Sequence, residues 1–317
     1  MIIAVSPYHI TTREPVAMAA LLLADRVVTW LPAPGATPGE AAKAATRVPS
    51  YLDMMLSWQW SVPLWEAGVI GSTVAGEEAA GDVRHIHAQI ATQDRYRPLR
   101  SLMRADLLDT DDAYLHALAE DVLKGGPDPA ITVPLAAGID RFAMRHRLAV
   151  ARSSPSSVVQ KAEARLGDRL FAVVVPALLQ GSGERILAVR EALDAELSDL
   201  RAALSAEATG PREAGRARSE RLDDAAAAYA RSFDRQRGEL LATEDDEVRA
   251  VDGAISITGV LLPGDAVLTS SLAALRSLGS GSVEAAAPAR ARPGDLGEPG
   301  TLAFMVKVLG RVPALGR

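Results

Sequence analysis

The residues best suited to chemistry lie in one polar segment near the N-terminus, Ser6 to Glu14. His9 could act as an acid or a base, and Arg13 could hold a carboxylate or a phosphate, so these two are the candidate catalytic residues. Three hydroxyl groups of the segment could orient such a ligand, and we take them as candidate ligand-binding residues: those of Ser6, Thr11 and Thr12.

A strand-helix-strand unit is expected to position this segment. Residues 1–5 form an apolar run that predicts a buried strand, residues 13–24 predict a helix with Thr11 or Thr12 as its N-cap, and residues 26–31 predict a second strand. Such units belong to parallel sheets, where ligands bind beyond the carboxyl ends of strands and helix N-termini attract anions. An ordinary capped helix with a surface histidine is the competing interpretation.

A second polar loop, residues 152–157, follows an apolar run at 148–151 that predicts another strand. Its Ser153 and Ser154 are further candidate ligand-binding residues, although serine before a helix is also common as a cap. The sequence leaves open whether the Ser6–Glu14 and Ser153–Ser157 loops converge, because that depends on whether the two strands are neighbours.

Residues 184–243 form two amphipathic arms on either side of a Gly210-Pro211 break. Apolar residues recur at steps of three and four in each arm, which predicts a long, coiled-coil-like helical hairpin that projects from the body. Leu187 and Leu241 are the candidate interaction residues, since apolar surface there could contact a partner or a second copy of the chain.

Composition narrows the possible functions. The 317 residues are 48% hydrophobic, which is enough to fill a core, and the chain contains no cysteine, which excludes disulfides, thiolate nucleophiles and cysteine-based metal sites. A net charge of −6 argues against nonspecific binding to nucleic acid. The absence of cysteine favours the cytoplasm. We expect no membrane contact, because the weakly charged stretch 253–275 is interrupted by Pro263-Gly264.

No sequence motif indicates a cofactor or a metal ion. The Gly181-Ser-Gly183 segment begins like a dinucleotide fingerprint but has Ile186 in place of the third glycine. His85 and His87 are two residues apart, so on a helix they point in different directions and cannot chelate one ion from one face. We therefore predict neither a cofactor nor a metal site.

The patterns favour a helix-dominated α/β fold with a small, mostly parallel sheet, an inserted helical block and a long helical hairpin. An all-α protein is the alternative, since short apolar runs do not distinguish strands from buried helices. The predicted parts are a strand-helix-strand unit at 1–39, the inserted helical block at 40–146, a continuation of the core at 147–180, the hairpin at 181–247, and a C-terminal strand-helix part of the core at 248–317 with a mobile loop at 279–300.

Two functions fit these patterns. The first is an interaction or assembly protein that uses the hairpin to bind a protein partner or to self-associate. The alternative is an enzyme or a binding protein for a small anionic ligand, which would use the Ser6–Glu14 loop. The sequence leaves open whether the chain is an enzyme.

Overall fold

The computed structural model describes most of the chain. The described residues are 1–31, 50–72, 77–124, 128–153, 171–178, 181–209, 215–241, 250–262, 267–268, 271–272, 275 and 301–308. The predicted loop at 279–300 lies outside these ranges. So do the Gly210-Pro211 break and Ser154.

In the described residues, one mixed sheet forms the centre of the fold. Its strands are β1 (Ile2–Val5), β2 (Arg26–Thr29), β3 (Ile70–Ser72), β4 (Ala149–Ser153), β5 (Phe171–Leu178), β6 (Ala250–Leu262) and β7 (Thr301–Val308). They are arranged in the order β3-β2-β1-β4-β7-β6-β5. The pairs from β3 to β7 are parallel, and β6 is antiparallel to both of its neighbours. The helix-dominated α/β class with a mostly parallel sheet is therefore confirmed, and the all-α alternative is wrong.

The first two strands follow the sequence pattern closely. Three of the four residues in each of β1 and β2 are buried, as is typical of parallel strands covered on both faces. β3 was not predicted, because three residues are too few to show a period. It lies inside the block 40–146, so that block is not purely helical as predicted, and it adds an edge strand beside β2.

Ten α-helices surround the sheet in the described ranges. They are α1 (Pro7–Thr11), α2 (Pro15–Leu23), α3 (Tyr51–Trp58), α4 (Val62–Glu66), α5 (Glu77–Thr92), α6 (Ala113–Lys124), α7 (Pro129–His146), α8 (Gly183–Ala192), α9 (Asp194–Thr209) and α10 (Gly215–Leu241). Both α2 and α7 pack directly on the sheet. None of the described helices has the combination of length and apolar character that crossing a membrane requires.

The predicted hairpin is present but does not project. Its first arm breaks at Leu193 into α8 and α9, and α9 then packs against α10 as expected. The apolar stripes of both arms, however, belong to the same core as the strands, and α10 also packs on β5. The prediction of a rod standing off the body is therefore wrong. Helical periodicity identifies which face is buried, but it does not identify what covers that face.

Two arginines attach these helices to the end of α2. Arg190 donates hydrogen bonds to the carbonyl oxygens of Leu21 (2.6 Å), Leu22 (3.2 Å) and Ala24 (2.7 Å). Arg201 donates to the carbonyl oxygens of Leu23 (2.8 Å) and Leu22 (3.2 Å). A helix leaves its last carbonyl groups without intrahelical donors, and positive charge there also complements the helix dipole. The two side chains therefore complete the C-terminus of α2.

Candidate functional site

The two candidate loops leave the sheet at the same edge. β1 and β4 are parallel neighbours, with Val5 opposite Ala151, so Ser6 and Ser153 both lie at carboxyl ends of adjacent strands. The strand order also reverses here, because the chain continues from β1 to β2 and β3 on one side and later returns to β4 on the other. This edge therefore has the topology of a ligand crevice. Ser154 to Ser157 lie outside the described residues, as does the side chain of Ser153.

The Ser6–Glu14 segment contains a short helix that was not predicted. Proline occupies the first position of both α1 and α2, where its missing N–H group has no cost. Thr11 and Thr12 are not the N-cap of α2, because Glu14 occupies that position. The Thr11 hydroxyl donates to the carbonyl oxygens of Pro7 (3.2 Å) and Tyr8 (3.0 Å), and the Thr12 hydroxyl donates to that of Tyr8 (2.7 Å). Both threonines thus stabilise α1.

Ser6 is the first residue after β1 and occupies the N-cap position of α1. It is buried, and its carbonyl oxygen accepts a hydrogen bond from the Ile10 amide at 3.3 Å. Its side chain makes no capping hydrogen bond to the helix. Ser6 lies at the end of β1, which is the position that a ligand role requires, and that role remains a prediction.

His9 has the most unusual environment in the segment. Its residue surface is partly exposed, but its Nδ1 atom is buried and has no hydrogen-bond partner among the described residues. Burial lowers the pKa of His9 to about 4, because the charged imidazolium loses its hydration. The ring is therefore neutral at pH 7. A neutral imidazole can accept a hydrogen bond at one nitrogen and donate one at the other.

Acidic groups lie near Tyr8, the residue that precedes this histidine. Burial raises the pKa of Glu14, and burial followed by the charges of Glu14 and Asp121 raises the pKa of Tyr8. Burial also raises the pKa of Asp121, although this carboxylate accepts a hydrogen bond from the Asp128 amide at 2.9 Å. Partial desolvation thus shifts the carboxyl groups near Tyr8 towards their neutral forms.

Arg13 is held in an uncommon backbone conformation against an aromatic ring. Its φ angle is 53°, in the left-handed region that few residues other than glycine adopt. Its guanidinium carbon lies 5.0 Å from the centroid of the Trp60 ring, which is a cation–π distance. The sequence identified the arginine as a candidate but gave no sign that Trp60 is its neighbour.

A second charged cluster joins α5 to α7. Asp82 is buried and forms ion pairs with Arg145 (2.6 Å) and Arg141 (3.1 Å), and Glu78 accepts from His146 at 2.6 Å. Burial is the main cause of the raised pKa of Asp82, and it outweighs the opposing hydrogen bond from Arg145. The two acids and the three basic side chains satisfy one another across two packed helices, so we interpret this cluster as a structural network. No group of three or more histidine, aspartate and glutamate residues in the described ranges is placed to hold a metal ion.

The two candidate interaction residues lie in the helices that were expected to project. Leu187 is partly buried and packs against the main core. Leu241 is the last residue of α10, and its side chain lies outside the described residues. An interaction role for either residue remains a prediction.

The segment that follows β1 thus contains a neutral imidazole, an arginine in the left-handed conformation whose guanidinium lies over an indole ring, and a serine at the strand end. These are groups that can orient and neutralise a small ligand. Comparisons of the chain with protein-family models, with curated proteins and with solved structures found no match.

Proposed function

We propose that the chain binds a small anionic ligand at the carboxyl edge of its sheet, over the ends of β1 and β4. The observation that carries this proposal is the position of the Ser6–Glu14 segment, which begins where the strand order reverses. In open α/β sheets, ligands bind in the crevice outside the carboxyl ends of the strands at this point.

The charges of the segment support an anion as the ligand. Arg13 carries a permanent positive charge, and its guanidinium carbon lies 5.0 Å from the centroid of the Trp60 ring. His9, being neutral, can donate an N–H group to the ligand without requiring a proton from solvent.

A thermal-shift titration tests this function. We expect inorganic phosphate, a nucleotide or succinate to raise the melting temperature, since a ligand that binds only the folded state stabilises it. The shift should be lost in both the His9→Ala and the Arg13→Ala variants. Arg231→Ala is the matched control, because Arg231 is an exposed arginine of α10 and its removal should leave the shift intact.

Two results would contradict the proposal. One is that none of the three classes of anion changes the melting temperature of the wild type. The other is that an anion does so equally in the wild type and in both site variants, which would place its binding elsewhere.

Interaction through α9 and α10 is the second candidate function. Between these two helices is a groove of about 390 Å³, lined mainly by alanines and by Asp199, Arg221 and Asp224. Small residues allow another helix to approach closely. Light scattering on the wild type and on Ala202→Arg, an exposed position in this groove, tests self-association. A dimer that the substitution dissociates would support this function, and a monomeric wild type would exclude the self-association form of it.

A further inference from the structure

The groove between α9 and α10 contains opposite charges on one helix. Arg221 and Asp224 lie three residues apart in α10, so they are neighbours on the same side of that helix. Both residues are exposed, and both line the groove. Neither forms an ion pair or a hydrogen bond with any residue that the structure describes. The groove therefore presents one positive and one negative group that a partner can pair.

Alanines flank these two charges along the same stripe of α10. Ala217 precedes Arg221 by four residues, and Ala228, which lines the groove, follows Asp224 by four. In chain order the stripe reads Ala-Arg-Asp-Ala, and in the reverse direction it reads Ala-Asp-Arg-Ala. An antiparallel copy thus places an acid opposite the arginine, a base opposite the aspartate, and alanine opposite alanine. The stripe is complementary to itself.

The rest of the groove suits a closely packed helix. Ala202 and Ala203 of α9 line it beside Asp199, which adds a further negative charge for a facing arginine. The distance between two helix axes depends on the side chains at the contact, so alanines allow a short one. Leu222 and Ala226, on the inward side of α10, are buried in the main core. The outer stripe is therefore the face of α10 that is available to a partner.

We infer that this surface pairs with the same surface of a second copy of the chain, with the two α10 helices antiparallel across a two-fold axis that passes between Arg221 and Asp224. This inference rests on the second candidate function and specifies the orientation of the two copies. A two-fold interface uses the same patch on both copies, so each contact occurs twice. Arg221 of each copy lies opposite Asp224 of the other, and charges of this kind determine the orientation of paired helices.

An exchange of charges tests this orientation by analytical ultracentrifugation. Arg221→Asp and Asp224→Arg each place like charges opposite each other twice in a dimer of that variant. We expect each variant alone to dimerise about ten- to a hundredfold more weakly than the wild type. An equal mixture of the two variants should recover the wild-type affinity, because both contacts of the mixed dimer again join an acid to a base.

Arg231→Asp and Asp234→Arg are the matched controls. These two residues have the same types and spacing, are exposed on the same helix, and are not among the residues that line the groove. Neither substitution should change the dissociation constant of the dimer. Thermal unfolding followed by circular dichroism checks that every variant is folded, and the mixing experiment compares the same two variants alone and together.

The outcomes separate this inference from the function on which it rests. If the wild type is a dimer that Ala202→Arg dissociates, but the charge reversals do not weaken it, the inference is overturned and self-association stands. Charge reversals that weaken the dimer without recovery in the mixture also overturn it, because the two residues then do not face each other. Equal weakening in the matched controls overturns it as well. A monomeric wild type excludes both.

Discussion

The two ends of α2 differ in how completely their polar groups are paired. At its C-terminus, every carbonyl oxygen from Leu21 to Ala24 accepts a hydrogen bond from Arg190 or Arg201. At its N-terminus, Glu14 makes no side-chain cap, and the preceding residues include a left-handed Arg13 and the unpaired Nδ1 of His9.

This difference separates a structural contact from a candidate site. Where every carbonyl oxygen already accepts a hydrogen bond, the contact stabilises one arrangement, and no polar group is left for a ligand to bind. Unpaired buried groups and an uncommon backbone conformation destabilise the protein, and they tend to occur where function requires them. The predictions below test each end of α2 in turn.

The largest effect on the free energy of unfolding is expected at the C-terminus of α2. Arg201→Met should lower the free energy of unfolding by about 2 to 3 kcal/mol, because the carbonyl of Leu23 loses its donor in a buried place. Urea-induced unfolding measures this. Arg231→Met, at an exposed position of α10, should change the same quantity by less than about 0.5 kcal/mol. A loss below about 1 kcal/mol in Arg201→Met would show that the contacts of Arg201 with α2 contribute little.

At the N-terminal side, His9 should make the protein sensitive to acid. Its pKa is about 4 in the folded state and 6.5 unfolded, so the folded state binds fewer protons between these values. The contribution of neutral His9 to the free energy of unfolding is complete above pH 6.5 and is lost as the pH falls towards 4. After allowance for the partial exposure of the residue, this loss amounts to about 2 kcal/mol.

The variant His9→Gln isolates this contribution. Its unfolding free energy should fall less than that of the wild type between pH 7 and pH 4.5, as measured by urea titrations at both pH values. Identical pH dependence in the two proteins would mean that His9 titrates normally in the folded state.

Glu14 should have a smaller effect of opposite sign. Its folded pKa lies above its ordinary value of 4.5, so the folded state binds more protons and gains stability as the pH falls through that folded pKa. Glu14→Gln should remove this gain and, at pH 7, stabilise the protein by about 1 kcal/mol or less. The difference in unfolding free energy between wild type and variant, followed from pH 7 to pH 4, measures it. A difference that is constant with pH would contradict the raised pKa.

The smallest change in stability is expected for Arg13→Gly. Glycine relieves the left-handed conformation, which costs about 1 kcal/mol, but it also removes the contact with Trp60, which contributes about 0.5 to 1 kcal/mol. The unfolding free energy should therefore change by less than about 0.5 kcal/mol, while the thermal shift caused by anions should be lost.

Arg147 provides the matched control for Arg13. Its φ angle is 55°, but it is the C-cap of α7, where a left-handed residue is common. Arg147→Gly should stabilise the protein by about 1 kcal/mol and leave the anion response intact. If Arg13→Gly also keeps the response, the positive charge of Arg13 does not bind the ligand.

The sequence predicted the strands of the sheet well where a run was long enough. The predicted strands at 1–5 and 26–31 correspond to Ile2–Val5 and Arg26–Thr29, because continuous Val and Ile runs between turns are typical of buried strands. The location of Ser6 at a strand end followed directly. β3 was missed, since its three residues carry no period.

Contacts between distant residues could not be predicted in this way. Arg190 and Arg201 lie in an amphipathic arm, where charged residues are expected to face solvent, but they bind carbonyl groups more than 160 residues earlier in the chain. The contact of Arg13 with Trp60 is also set by tertiary packing, and the three-residue turn that carries Trp60 has no distinctive pattern. Helical period and turn residues are local properties of the sequence. The contacts that form the candidate site join residues that are far apart in the sequence, so local patterns do not predict them.

The order of the strands has a consequence for how the sheet is assembled. β7 has the highest residue numbers of the seven, yet it lies between β4 and β6. During synthesis, the four-stranded part β3-β2-β1-β4 and the antiparallel pair β5-β6 each emerge with one open edge where β7 will pair. The two halves become a continuous sheet only when residues 301–308 have left the ribosome, so nascent chains stopped before that point should carry two unpaired edges that invite aggregation.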